Sequence, residues 1–266
     1  MGKRGSVRVY VSSLNRGVDS VKHNKRRKQI ISEYHTELKQ SDQSNKQKLD
    51  IDLYQQASDA ATHNVRYNNF NTSRWIIQYM TQYYTNTLHI DMTKFNDKQS
   101  INLLDVGALS NYYKQYKYIN TRAIDINPQH SSVERIDFFD LPYRKLRYDI
   151  IVLSLVINFI NNKSKRGEMI KRCRHMLNSG KLLYLVLPYS CVNNSRYITQ
   201  SILNNDIMNN LAFKCINHRV SRNNKLVMYE YVAIDINDKH NQPINPKVIK
   251  QGDGFNNFSI TIDGTQ

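Results

Sequence analysis

From Ile101 onward the chain sets short apolar runs between polar stretches, each run bounded before it reaches helical length. Seven read as strands: INLLDV (101–106), TRAIDI (121–126), VERIDF (133–138), YDIIVLSLV (148–156), KLLYLVL (181–187), FKCINHRV (213–220) and KLVMYEYVAI (225–234). The first five are apolar almost without alternation, as in parallel strands covered on both faces. Only SRNNK separates the last two, which predicts an antiparallel hairpin at the sheet edge. Between the fourth and fifth runs, Met169, Ile170, Cys173, Met176 and Leu177 recur on one helical face, with Gly180 expected just past the last turn. A second helical pattern, 195–211, separates the fifth and sixth. The fold class is α/β: a seven-stranded sheet, mostly parallel with a C-terminal antiparallel hairpin, preceded by N-terminal helices.

Those helices are expected over 20–39, over 48–63, and from Thr72 or Ser73, either of which can cap. Trp75, Ile76, Tyr79, Met80 and Tyr83 form a stripe on the third, best read as packing against the next layer. Composition then divides the chain. Residues 1–47 form a basic extension, 48–236 the main domain with its helices, and 237–266 a polar tail rich in Asn, Asp and Gly, expected to be loose.

Charge narrows the partners. Lys and Arg number 38 against 22 Asp and Glu, a formal net charge of +16, and residues 1–48 hold twelve of the cations against four acids. KHNKRRK at 22–28 reads equally as a nuclear-localisation or RNA-contacting cluster and as a solvated helix face. Such an excess points to a polyanion, and RNA or DNA is the commonest one. No run is long enough for a membrane-spanning helix, so no membrane partner is expected. Cys173, Cys191 and Cys215 are widely spaced with no CxxC pair, so no metal site is expected either.

In open parallel sheets ligands sit beyond the carboxyl ends of the strands. At those ends stand Asp105 and Gly107, Asp125, Asp137 with Phe138, and Ser154. Gly107 allows a tight turn with no side chain in a ligand's way. Asp125, at the end of the second strand, suits the two hydroxyls of a ribose. Asp137 suits the exocyclic amine of adenine, with Phe138 covering the ring. The turn reads GALSNY and lacks the GxGxxG that a pyrophosphate dinucleotide requires, which disfavours a nicotinamide cofactor. S-adenosyl-L-methionine has no phosphate, and its cationic sulfur suits an acidic surrounding. The alternative is that these aspartates merely cap loops in a silent domain. Beyond the fourth and fifth strands come Asn158 and Phe159, then Tyr189, Asn194, Arg196 and Tyr197, polar and aromatic groups fit to hold and stack a flipped base.

LLDVGALS, AIDINP, IDFFDLP, YDIIVLSLVINFI, KRGEMIKRCRHML and LPYSCVNNSRY, following YQQAS at 54–58, come in one order from Tyr54 to about Tyr197. In that order the chain resembles the fungal 25S large-subunit rRNA adenine-N1 methyltransferases, a family related to an animal S-adenosylmethionine sensor. The resemblance implies a class I methyltransferase, Rossmann-like fold, with S-adenosylmethionine as cofactor. Large-subunit rRNA or a pre-ribosomal particle is implied as partner, and the nucleus and nucleolus as location. By the resemblance, Gly107 and Asp125 match the family's cofactor-binding positions, and Asp137, Phe138 and Ser154 match contacts in the related sensor. From their places at the strand ends, Asp105 joins the cofactor set, Asn158 and Phe159 are expected to be catalytic, and Tyr189, Asn194, Arg196 and Tyr197 to touch the substrate. Lys and Arg of the extension and of 144–147 are expected to hold the RNA backbone. A non-catalytic cofactor sensor acting through a protein partner is the competing expectation.

Overall fold

The seven apolar runs form one sheet. The structure is a computed structural model that describes residues 72–94 and 100–264. The basic extension, the helices expected over 20–39 and 48–63, and YQQAS lie outside the described residues. Strands β1 (Ile101–Val106), β2 (Ile119–Asp125), β3 (Glu134–Arg135), β4 (Tyr148–Ser154), β5 (Leu177–Pro188), β6 (Phe213–Val220) and β7 (Leu226–Ala233) lie side by side in the order β3-β2-β1-β4-β5-β7-β6. The first five pair in parallel, and β7 runs antiparallel between β5 and β6. The chain leaves β1 towards β2 on one side and returns to β4 on the other. The carboxyl ends of β1 and β4 therefore flank the switch point, where such sheets bind ligands.

Successive side chains point to opposite faces, and both faces are covered. On one, Ile101, Leu103, Ile150, Val152, Tyr184, Val186 and Met228 pack with Ile76 and Met80 of helix α1 (Thr72–Gln82). The stripe predicted on that helix is core. On the other face, Leu104, Val106, Ile151, Leu153, Leu185 and Tyr229 pack with Met169, Ile170 and Cys173 of α2 (Lys163–Met176) and with Leu203 and Ile207 of α3, residues 200–210. Over Ile202–Met208, α3 is wound as a π-helix. Asn162 caps α2 by accepting from the amides of Ser164 and Lys165 at 2.8 and 3.1 Å.

Two expectations change. Helix α2 ends at Met176, because Leu177 is already extended and pairs with Tyr148. Gly180, at φ +82°, does not cap it. The glycine lies where β5 bulges between its partners Tyr148 and Ile150, a place that needs a left-handed residue.

The stretch after Asn237 is also not loose throughout. Phe258, Ile260 and Ile262 are buried in the α2-side core, alternating with Ser259 and Thr261. Arg166 donates from Nε to the Ile160 carbonyl at 2.7 Å and from Nη1 to that of Ser259 at 2.6 Å, and its guanidinium lies 4.6 Å from the Phe258 ring centroid. Ile244 and Ile262 exchange two main-chain hydrogen bonds. Alternate apolar residues make this a strand-like strap despite its polar flanks.

Candidate active site

Odd-numbered positions of β1 and β2 face α1, and this parity puts Asp105, Gly107 and Asp125 on the same side of the sheet at its carboxyl edge. Gly107 leaves β1 at φ +71°, its amide donating to the Ile124 carbonyl at 2.9 Å. A Cβ there would lie 3.0 Å from Val156 Cγ2 and 4.0 Å from Asp125 Oδ2. The turn after β1, the end of β2 and the exit of β4 therefore meet around one small space that only glycine leaves open.

Asp125 is half-buried. Its Oδ1 accepts from the Asn127 amide at 2.6 Å, an Asx turn that fixes the carboxylate and leaves Oδ2 on the glycine side. Burial raises its pKa, and the Asn127 amide partly offsets that. Asp105 is only 6% exposed. Burial first, and then the charge of Asp125, push its pKa up to about 8. Between the ordinary carboxylate range and pH 8 the folded chain therefore binds a proton that the unfolded chain does not. Stability falls as pH rises through that window. Asp105→Asn removes this term, so the variant gains on the parent by up to about 1.4 kcal/mol per pH unit. Thermal melts of both proteins from pH 5 to 8 check this.

Asp137 caps the single 3-10 turn Phe138–Asp140, its Oδ1 accepting from the Phe139 amide at 2.9 Å. The second carboxylate oxygen and the Phe138 amide, first in the turn, have no acceptor or donor within it. The Phe138 ring does not stand over the site. It is 4% exposed, packed in the α2-side core and edge-on to Phe139. The exposed apolar side chain at this edge is instead Ile126, 59% exposed directly after Asp125.

Ser154 Oγ donates to Thr72 Oγ1 at 3.0 Å, tying the start of α1 to the end of β4. The next residue, Leu155, takes φ +59°, and its amide donates to the Val186 carbonyl at 2.9 Å. A left-handed leucine is strained by about 1 kcal/mol, held here by the sheet on both sides. It turns the chain into the short 3-10 turn Ile157–Phe159. There Asn158 Oδ1 is buried with no hydrogen-bond partner, while Phe159 is 40% exposed. A buried amide oxygen left without a donor costs about 1–3 kcal/mol.

The second rim divides. Tyr189 opens the helical turn Ser190–Asn193, its amide donating to the Lys225 carbonyl at 2.7 Å. Tyr189 and Tyr197 rest partly buried against the core. Asn194 and Arg196, expected to touch a substrate, instead hold the C-terminal strap. Asn194 Nδ2 donates to the Gly254 carbonyl and Arg196 Nη2 to that of Gly252, each at 2.8 Å. Ser195 Oγ between them donates to the Phe258 carbonyl at 2.6 Å. The loop Arg144–Arg147 precedes β4, so it lies at the edge opposite the site, and Arg147 folds back onto the carbonyls of Arg144 and Leu146.

Charge is split along the carboxyl edge. Asp105, Asp125 and Asp137 lie under β1–β3. The exits of β4 (155–162) and β5 (189–199), the hairpin tip (221–225) and the first turn of α1 carry no acid at all. Two carboxylates approach them from the C-terminal strap, Asp253 and Asp263, the latter accepting from Ser164 Oγ at 3.5 Å just past the β4 exit, and the strap also brings Lys247 and Lys250. Among the described residues no cluster of His, Cys, Asp or Glu fits a metal ion, and no helix is long and apolar enough to cross a membrane.

The chain matches a family model described as 25S rRNA (adenine(2142)-N(1))-methyltransferase, Bmt2, over residues 39–260. It is similar to the 25S rRNA (adenine(2142)-N(1))-methyltransferase of Saccharomyces cerevisiae, 29% identical over 165 residues, which is 60% of this chain and 48% of that protein. It is also similar to the 25S rRNA adenine-N(1) methyltransferase of Schizosaccharomyces pombe, 26% identical over 170 residues, 61% of each. The match thus spans about half to three-fifths of these curated relatives. Among solved structures, the plantazolicin methyltransferase BpumL, in complex with a monoazolic desmethylPZN analog and SAH, superposes with a TM-score of 0.50 at 12% identity, covering 80% of this chain and 99% of its own. That likeness is one of fold.

Proposed function

Because the chain belongs to the Bmt2 family of 25S rRNA adenine-N(1)-methyltransferases, we propose that it transfers a methyl group from S-adenosylmethionine to N1 of an adenine in large-subunit rRNA. The observation that carries this reading is the split edge: an acidic half suited to a cationic cofactor lies beside a half whose strand exits and hairpin tip carry no acid, suited to a polyanion.

The residues fit the cofactor. Gly107 leaves open the space that any side chain would fill. Asp125 Oδ2, the oxygen not engaged by Asn127, accepts from the ribose hydroxyls. Ile126 covers one face of the adenine, while the second oxygen of Asp137 and the Phe138 amide read its edge. Asp125 favours positive charge in the space beside β4, and Asp105 adds to this once it ionises. When bound, S-adenosylmethionine supplies an electrophilic methyl group on a cationic sulfur.

The substrate nitrogen carries its own in-plane lone pair, so no residue need remove a proton first. What the chain provides is position. Asn158, held in the turn after β4, presents its unpartnered Oδ1 to the exocyclic amine of the flipped base. Phe159 stacks on the ring, a contact worth roughly 1–3 kcal/mol.

Transfer of label from S-adenosylmethionine to rRNA lacking the modification tests the proposal, with 1-methyladenosine as the expected product. Cofactor binding with no RNA labelled, even as pre-ribosomal particles, overturns it in favour of a sensor. Asn158→Ala is expected to lower kcat by about tenfold to a hundredfold, the loss of one hydrogen bond, with cofactor affinity unchanged. Cofactor affinity itself rises with pH below about 8, as Asp105 ionises. The limit is tenfold per pH unit. Titration calorimetry at pH 6.0 and 7.0 reads that slope, which Asp105→Asn abolishes.

A further inference from the structure

The β6–β7 hairpin tip and the first turn of α1 form a second basic surface at the same edge of the sheet as the site. β7 is antiparallel to β5, with Leu226 opposite Pro188, so the tip 221–225 stands beside the carboxyl end of β5. It carries Arg222 and Lys225, both exposed and, among the described residues, in no ion pair.

The tip is built to hold them. Ser221 Oγ donates to Asn223 Oδ1 at 2.7 Å and accepts from the amides of Lys225 and Leu226 at 3.1 and 3.0 Å. Asn224 takes the left-handed turn position at φ +53°, and the Lys225 carbonyl is bound by the Tyr189 amide. One step down β6, Arg219 is paired with Met228, whose side chain faces α1, and its guanidinium lies 5.8 Å from the Trp75 ring centroid. A guanidinium stacked on a ring keeps its edge donors for a phosphate. Arg74 is exposed beside Trp75 on α1. From Phe213 to Tyr229 the chain has no acid. Cations on an edge strand often serve only to discourage strand pairing. That does not account for a stacked arginine on the α1 side, or for cations beyond the strand on an ordered tip.

We infer that Arg74, Arg219, Arg222 and Lys225 clamp the sugar-phosphate backbone of the RNA beside the adenine delivered to Asn158. This deepens the proposed function and rests on it for the identity of the RNA. The clamp takes over the role expected of Arg144–Arg147, which lie at the opposite edge.

The test is binding of a fluorescent, unmodified large-subunit rRNA fragment to the full chain without cofactor, at 50 to 200 mM salt. Each phosphate contact removed lowers the slope of log affinity against log salt by about 1, so Arg222→Gln with Lys225→Gln lowers it by about 2. Adding Arg219→Gln lowers it further. Arg144→Gln with Lys145→Gln removes the same charge at the other edge and leaves the slope unchanged. An unchanged slope in the tip variant, with melting like the parent's, overturns the clamp, and so does an equal loss in the control. Methyl transfer by the unaltered chain reports separately on the proposed function. If RNA binds through the tip but is never methylated, that reading fails and the clamp stands.

Discussion

Asp125→Ala lowers affinity for S-adenosylmethionine by about a hundredfold to ten-thousandfold and stops methyl transfer at ordinary cofactor concentrations. Two hydrogen bonds from ribose hydroxyls to an ionised acceptor are at stake, each worth about 1.5–3 kcal/mol. No neighbour can replace them, because Asp105 is buried and largely protonated near neutral pH. The substitution also opens the Asx turn at Asn127. Asp125→Asn is therefore the companion: its side-chain oxygen can still accept from the Asn127 amide, while the charge is gone. If Asn keeps the fold and loses the cofactor, the carboxylate is the ribose acceptor. Parent-like cofactor affinity in both variants would show that Asp125 only shapes the loop. In either variant the pKa of Asp105 falls, since the charge of Asp125 helps to raise it.

The second large effect inverts a familiar sign. Glycine inside a helix costs roughly 0.5–1 kcal/mol relative to alanine, so Gly167→Ala in the first half of α2 should stabilise. Here a Cβ at 167 would land on the Thr261 carbonyl oxygen and lie 2.9 Å from Ile262 Cδ1. The obstacle is backbone and cannot rotate away. Gly167→Ala therefore pushes the strap off α2 and exposes Phe258, Ile260 and Ile262, a loss of about 3–5 kcal/mol. Thermal melting measures the loss, and hydrogen exchange shows amides of 256–262 losing protection first. A variant as stable as the parent would mean that the strap does not depend on this contact.

The sheet was legible because both of its faces are covered. Seven apolar runs had no other way to bury themselves, and five residues between the last two dictated the hairpin. That Asp105, Gly107 and Asp125 stand at the carboxyl edge was legible from where the apolar runs end, and the structure brings the three together there. Asn194 and Arg196 were not, since a polar residue on a rim looks the same whether it meets a substrate or another part of its own chain. Its partner lay some 60 residues on, at Gly252 and Gly254, in a stretch whose Asn and Gly content hid the alternation of FSITI. Phe138 was misassigned because sequence spacing locates a side chain along a strand end but not the way it turns after a cap. Ile126 carried a readable signal, an apolar residue left exposed directly after a strand-end carboxylate.

The split charge of the carboxyl edge also bears on turnover. On the proposed reading, Asp105 and Asp125 face a sulfonium before transfer and an uncharged thioether after it. The acid-free rim of Asn158, Arg222 and Lys225 faces a neutral base at the start and a methylated, cationic ring at the end. Each half of the site grips what arrives and repels or ignores what is left, so the reaction itself loosens both products. On that reading, release of both products is eased by where the aspartates stop along the sheet.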